Sequence, residues 1–327
     1  VSARGDAVGI AGGGRFATAL GGVLARAGRR VVLWSSDAQV VEAIRTTRRN
    51  PRLPAAHLPE SLEATTELGH LARSVRFVIL SITSTSVRER ARELGDVLDG
   101  SHIVVHALGA LAQPSKERVS QVMEQGLPTL KIGAIAGPAL PDDLADAQSS
   151  SIVVASAFDE VTAEGRRLLS APPVLRVYGS RDLIGVELAS ALSGAYTVAL
   201  GISDGLGVGP GPRAALITRA VAESSRLGVA AGAEARTFAG LAGLGNLLVR
   251  ASDRSADYSL GRRLAERAAI PEAAWTEGAR ASLAGVELAE QLGVRVPVLR
   301  GVSGVLTRRV QPSALAGMIG DSVADAE

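Results

Sequence analysis

The chain has 327 residues, 46% of them hydrophobic, and no cysteine. That length predicts two domains with sizeable cores, and the lack of thiols excludes a disulfide scaffold, a cysteine zinc site and a cysteine nucleophile. Lys plus Arg total 35 against 33 Asp plus Glu, a formal charge of +2, and aromatics make up only 3%; a balanced charge without aromatic–basic interleaving speaks against nucleic acid as a partner.

Of the 35 cations only Lys116 and Lys131 are lysines, which leaves 33 arginines. The apolar runs are interrupted by Gly, Arg or Asp, so none is expected to reach the ~20 residues of a membrane span. A strand pattern begins within the first ten residues, which leaves no room for a signal peptide in the sequence as read. Cytoplasm is the expected compartment.

In chain order, Ala7–Ala11 is a short apolar run that ends in Gly12-Gly13-Gly14, and Phe16–Ala27 has helical composition. Arg30–Trp34 is β-branched and apolar, a second strand. Val75–Ile82 and Ser101–Ala107 repeat that pattern around a charged helix at Val87–Leu98, and Leu130–Ala136 and Ser151–Ala157 are further strands. Strands alternating with helices predict an α/β domain with a doubly wound parallel sheet. After Asp182 the texture changes. Ile184–Leu200 predicts a long apolar helix, and glycine-rich Gly201–Gly211 a loop. Pro212 suits the first turn of a helix that runs to about Leu227. Helices follow at Ala235–Leu241, Ser259–Ala268, Trp275–Leu292 and Pro312–Val323. The predicted division is therefore residues 1–182, α/β, and 183–327, all-α.

Gly12, Gly14 and Ala17 form a GxGxxA turn between a strand and a helix. The first glycine allows the tight turn, the second the approach of a pyrophosphate, and the small third residue close helix–sheet packing. The helix start then offers unpaired N–H groups to phosphate. The second strand ends in Trp34-Ser35-Ser36-Asp37. An acid near this point reads a ribose 2′-hydroxyl, and Ser36 suits a 2′-phosphate, so NAD and NADP both stay open.

Longer stretches carry a resemblance: Asn50-Pro51-Arg52-Leu53-Pro54, Ala136-Gly137-Pro138, Gly185–Leu192, Gly201–Gly207, Ala214–Arg219 and Thr237–Gly245. In order and content they are similar to the bacterial NAD(P)-dependent glycerol-3-phosphate dehydrogenases. The resemblance implies a Rossmann-type first domain, a helical second domain, an active site in the cleft between them and, as a family property, a homodimer. It also implies hydride transfer between a nicotinamide and C2 of glycerol 3-phosphate or dihydroxyacetone phosphate. That reaction needs an acid/base for the C2 oxygen, donors for the developing alkoxide and a cation for the phosphate.

The chain departs from the family at several of these positions. Ser193 stands where the family has its acid/base lysine, and Leu108 where it has a second, substrate-contacting lysine. Asn246 replaces an aspartate. Ser255-Ala256-Asp257 stands for a phosphate-binding Ser-Arg-Asn run in a loop, Gly211 for the asparagine of a Gly-Asp-Asn turn, and Ala139 follows the Gly137-Pro138 turn. Asp257 brings a negative charge where the resemblance implies a neutral amide; at ~4 Å a like charge costs on the order of 1–4 kcal/mol. The cofactor side is closer to the family: Gly12, Gly14, Phe16, Ala17 and Glu277 match, Pro141 belongs with them, and Arg15 falls beside the expected pyrophosphate.

The two lysines offer no replacement. Lys131 is about five residues before Ala136, some 16 Å from the ligand-binding end of its strand at ~3.3 Å per residue, and Lys116 falls in a helical segment after Leu108. Arginine does not serve as a base. His106, at a strand end, is a substitute acid/base, and Tyr196 shares a helix face with Ser193. Arg213, Arg250 and Arg254 are the arginines available to a phosphate. Two readings follow: a dehydrogenase of this family, with glycerol 3-phosphate or an altered substrate, and a dinucleotide-binding paralogue without catalysis, regulatory or scaffolding in role.

Overall fold

The computed structural model describes residues 5–266 and 270–315. These divide into two compact units. Unit 1 takes the described residues up to Leu108 and then Ala112–Leu183; unit 2 takes Gly109–Leu111 and the described residues from Ile184 on. The division thus falls after Leu183, and three residues from the middle of unit 1 group with unit 2, a feature no composition change marks.

Unit 1 is an eight-stranded sheet: β1 (Ala7–Ala11), β2 (Arg30–Trp34), β3 (Leu62–Thr65), β4 (Phe77–Leu80), β5 (Ile103–His106), β6 (Ile132–Ala136), β7 (Ser150–Ala155) and β8 (Leu175–Ser180), in spatial order β3-β2-β1-β4-β5-β6-β7-β8. The helices are α1 (Arg15–Arg26), α2 (Ala38–Thr47), α3 (Leu68–Ser74), α4 (Val87–Gly95), α5 (Val119–Gly126), α6 (Pro141–Ala145) and α7 (Asp159–Leu169). Side chains alternate across the sheet, as period-two geometry requires. Ile10, Leu33, Ile79 and Val105 pack in one cluster with α1, α2 and α7. Val32, Trp34, Val78 and Val104 pack in another with α3, α4 and α5. Both faces are covered, which is why the central strands read as continuous apolar runs. This is the doubly wound, Rossmann-type architecture that the sequence predicts.

The structure corrects the all-parallel expectation. β7 pairs antiparallel with β6, and β8 then runs parallel to β7. The chain leaves β6 through Gly137, where φ is +142° and a Cβ would lie 2.7 Å from the Ser151 carbonyl oxygen. β7 therefore returns directly against that turn. The two strands absent from the sequence reading, β3 and β8, are the sheet edges. Edge strands alternate polar and apolar residues and carry a weaker signal.

Unit 2 is helical: α8 (Leu183–Gly205), α9 (Pro210–Ala230), α10 (Ala235–Phe238), a π-type turn at Leu241–Gly245, α11 (Asn246–Arg250), α12 (Ala256–Ala265), α13 (Glu277–Leu292) and α14 (Pro297–Leu306). Of the helix expected over Pro312–Val323 only the first four residues are described, and they are helical; the rest, like 267–269, lies outside the described residues. Two expectations change here. The glycines after Leu200 are not a loop: α8 continues to Gly205 because they serve close packing. A Cβ at Gly201 would lie 2.2 Å from the Tyr258 carbonyl oxygen, and one at Gly261 2.2 Å from that of Val198, so α8 and α12 touch backbone to backbone. Continuity also makes α8, at 23 residues, long and apolar enough to cross a membrane by length and composition, with 89% of its apolar window buried inside the protein. A helix apolar on all sides belongs in a core or a bilayer; here it is the axis of the unit 2 core.

Lys116 is not in a helix. It sits at φ +60° in the turn before α5. Lys131 precedes β6 and pairs with Glu160 at 3.0 Å.

Candidate active site

The glycine turn of unit 1 is built by the ends of β1, β2 and β4. Gly12 has φ +149°, its N–H donates to the Trp34 carbonyl at 2.9 Å, and a Cβ there would lie 1.9 Å from the Ser81 carbonyl oxygen. Only glycine fits. Gly14 differs: it is the N-cap of α1 at φ −78°, and a Cβ there would meet nothing within 4 Å. The first turn of α1 holds no acidic residue, so no carboxylate of its own competes for the positive end of the helix dipole, as an anion site there requires. Ala17 is fully buried and Phe16 half-buried against the core.

Asn50, which the sequence reading quoted only for its resemblance, braces this turn. It is buried, and its Nδ2 donates to the Gly13 carbonyl at 3.1 Å and to Thr18 Oγ1 at 2.6 Å. Arg52 also reaches the Gly13 carbonyl, at 3.3 Å, and pairs with Asp37 at 2.9 Å. A long-range brace of this kind leaves no local pattern in the sequence. Asp37 spends its other oxygen as the N-cap of α2, accepting from Gln39 N at 3.0 Å, and Ser36 is exposed beside it. Arg15 is paired with Asp142 at 2.6 Å, next to Pro141 at the start of α6, and also donates to the Arg52 carbonyl. Its half-exposed guanidinium is held by these two protein partners.

Unit 2 gathers a polar cluster on α8. Ser193 is 3% exposed and its Oγ donates back to the Ser190 carbonyl at 2.7 Å, a common helix-interior bond. Asn246, at the first position of α11 and 7% exposed, donates from Nδ2 to Ser193 Oγ at 3.0 Å and to Ser190 Oγ at 3.4 Å. Arg250 Nη1 reaches the same Ser193 Oγ at 3.4 Å. Arg250 Nη2 pairs with Asp257 Oδ2 at 3.2 Å, and Gly278 N, in the first turn of α13, donates to Asp257 Oδ1 at 3.0 Å. Gly109 lies against the cluster: a Cβ there would be 3.1 Å from Ser190 Oγ. The π-type turn that precedes Asn246 allows this aim; such turns re-register a helix locally.

The run at Ser255-Ala256-Asp257 is therefore not a loop. Ser255 is the N-cap of α12, with Ala256 and Asp257 in its first turn. Asp257 is buried among α8, α11 and α13 instead of lying exposed.

The comparisons agree with this architecture over both units. Residues 7–162 match the N-terminal part of NAD-dependent glycerol-3-phosphate dehydrogenase, and residues 182–317 its C-terminal part. The chain belongs to the NAD-dependent glycerol-3-phosphate dehydrogenase family. It is 35% identical to the glycerol-3-phosphate dehydrogenase [NAD(P)+] of Moorella thermoacetica, covering 92% of this chain and 91% of that protein. It is 34% identical to that of Azotobacter vinelandii over 91% and 89%. The crystal structure of glycerol-3-phosphate dehydrogenase from Coxiella burnetii superposes with a TM-score of 0.90 at 28% identity, covering 97% of this chain and 99% of that one.

Within this dehydrogenase scaffold the other positions singled out by sequence have plain structural partners. His106 is buried at the end of β5, and its Nδ1 accepts the Leu108 N–H at 3.3 Å, which fixes the course of the chain after the strand. Leu108 is buried in the apolar cluster under α4 and α5. Ala139 donates its N–H to the Gly137 carbonyl at 2.8 Å. Tyr196 is buried, its hydroxyl donates to Glu223 at 3.1 Å, and burial raises its pKa well above the ordinary tyrosine range. Glu223 also accepts from Val298 N and Leu299 N at 2.9 and 3.0 Å and so caps α14. Arg213 pairs with Asp204 at 3.0 Å, and Tyr258 donates to the same carboxylate at 2.7 Å. Gly211 lies in the first turn of α9, and Glu277 opens α13.

Proposed function

We propose that this chain is an NAD(P)-dependent oxidoreductase of the glycerol-3-phosphate dehydrogenase type, interconverting glycerol 3-phosphate and dihydroxyacetone phosphate. The observation that carries the reading is the glycine turn: a position only glycine fits, followed by an open helix start, braced by buried Asn50. Gly12, Gly14 and Ala17 would hold a dinucleotide pyrophosphate at the start of α1, with Phe16, Ser36 and Pro141 nearby in unit 1. When bound, the nicotinamide supplies or accepts the hydride. In unit 2, Asn246 Nδ2 and Arg250 Nη1 converge on a single oxygen, Ser193 Oγ. Two donors aimed at one point suit a substrate oxygen that gains charge in the transition state. A cytoplasmic homodimer belongs to the same reading, with a small-molecule substrate and the dinucleotide as ligands.

One observation favours a second reading, dinucleotide binding without turnover of this substrate. The Ser193–Asn246–Arg250–Asp257 bonds satisfy one another, and the residues so joined include no amine or imidazole to carry the C2 oxygen proton. A single assay separates the two. The purified protein is titrated with NADH and NADPH by fluorescence, then given dihydroxyacetone phosphate and followed by loss of reduced cofactor. Catalytic oxidation supports the first reading and removes the second. Tight dinucleotide binding without oxidation does the reverse.

A further inference from the structure

The surroundings of the Asp257 carboxylate are those of a bound oxyanion. One oxygen is ion-paired with Arg250 Nη2 at 3.2 Å; the other takes a backbone N–H from Gly278 at 3.0 Å. Gly278 lies in the first turn of α13, a helix of 16 residues, so the positive end of a dipole faces the carboxylate. A Cβ at Gly278 would lie 2.7 Å from Asp257 Cγ and 2.4 Å from the Gly194 carbonyl oxygen, and one at Gly194 3.2 Å from Asp257 Oδ2. Two glycines thus open a notch that the carboxylate fills. The Asp257 side chain is 4% exposed and that of Arg250 22%. A guanidinium and a helix-start N–H on one small notch are the donors that recognise phosphate or carboxylate ligands.

We infer that Asp257 fills, with its own carboxylate, an anion subsite formed by Arg250, Gly278 N and the notch at Gly194, and so sets the anion preference of unit 2. As it stands, the chain binds a phosphate group weakly there, because an incoming dianion must displace a carboxylate already held by both donors. With that carboxylate removed, the same donors accept an external oxyanion. The inference deepens the proposed function, since it rests on the unit 2 cluster being the substrate site; it concerns the anion contact and not the hydride step.

The test uses the full chain and inorganic phosphate. Binding is measured by calorimetry and by thermal stabilisation for the unsubstituted protein, Asp257→Ala and the double variant Arg250→Ala with Asp257→Ala. Dinucleotide binding, measured in parallel, reports on unit 1 and on folding and is independent of the inference. The unsubstituted protein is expected to show no saturable binding at about 10 mM phosphate, and Asp257→Ala a gain of about tenfold or more, ~1.4 kcal/mol. The double variant is expected to lose the gain. Should Asp257→Ala not fold, Asp257→Asn, which keeps the side-chain volume and removes the charge, carries the same comparison. Submillimolar binding by the unsubstituted protein, no gain on neutralising Asp257, or a gain that survives loss of Arg250 would each overturn the inference. Lack of turnover with intact phosphate behaviour would instead count against the dehydrogenase reading alone.

Discussion

Gly12 and Gly14 stand two residues apart in one turn, yet alanine at each should have opposite consequences. At Gly12 the backbone lies at φ +149°, and the added Cβ would sit 1.9 Å from a backbone oxygen of Ser81. A non-glycine residue in such a conformation costs about 1–3 kcal/mol. The overlap is with backbone, so relief requires the ends of β1 and β4 to move apart, a further ~1–3 kcal/mol by analogy with overpacked cores. The sum, about 2–6 kcal/mol, corresponds to a fall in Tm on the order of 5–20 °C at about 2–4 °C per kcal/mol for a domain of this size. At Gly14 the backbone is extended and the Cβ meets nothing, so Gly14→Ala should move Tm by no more than about 2 °C, the worth of a lost glycine N-cap. Its effect should fall on the ligand, because the added methyl occupies the open space at the helix start. Differential scanning fluorimetry and NADH and NADPH titrations of both variants provide the check. Equal Tm shifts would refute the packing argument, and unchanged affinity in Gly14→Ala would refute the assignment of that space to the dinucleotide.

Three further outcomes follow from other parts of the chain. Ser193→Lys alone should not raise oxidation of NADH by dihydroxyacetone phosphate. It places a second cation beside Arg250 at a buried position, and like charges at ~4 Å cost on the order of 1–4 kcal/mol. Adding Asn246→Asp should restore part of the lost Tm; substantial turnover from the single variant would show the reasoning wrong. Glu223→Ala leaves the Tyr196 hydroxyl and two α14 N–H groups without their acceptor and should cost about 3–5 kcal/mol in urea unfolding. Burial raises the Glu223 carboxyl above its ordinary 4.5. Its contribution is therefore full below that value and fades as pH rises through the higher folded value; Glu223→Gln should flatten that part of the stability profile. Asp99 shows the opposite sign. Side-chain and backbone hydrogen bonds from Ser101, helped by His102, hold it at about 2 instead of 3.8. The stabilisation is complete above 3.8 and disappears as pH falls through about 2, so Asp99→Asn should lessen the acid dependence of unfolding in that window.

Central strands β1, β2, β4 and β5 were legible because burial on both faces leaves an uninterrupted apolar run between turn signals. β3 and β8 were not, because an edge strand needs only one dry neighbour and keeps polar residues such as Glu63 and Arg176. Glycine was read correctly where it ends a strand at Gly12, and wrongly at Gly201 and Gly205, where it lets one helix approach another. Local sequence does not distinguish these uses; only the partner backbone does. The same limit governs the site. The GxGxxA turn is contiguous and could be found, whereas the bonds of Asn50 to Thr18, of Arg250 to Ser193 and of Gly278 to Asp257 join residues far apart in the chain. Asp257 read as a repulsive charge because its neighbour Arg250 and the helix start at Gly278 were not adjacent in sequence.

The continuity of α8 has a consequence for how the protein is made. Once emerged, its 23 residues present the length and composition of a membrane span, although they include Glu187 and Asp204, and the segment alone does not decide between a core and a bilayer. That decision lies with residues not yet synthesised, above all Gly261 in α12, whose missing side chain lets the later helix cover it. Until some sixty residues further on have been made, the nascent chain carries an apolar segment awaiting its cover, the kind of exposure that recruits chaperones. A bulky residue at 261 would therefore be felt first during biogenesis, as lower yield and membrane-associated or aggregated chains, ahead of any effect on the finished enzyme fold.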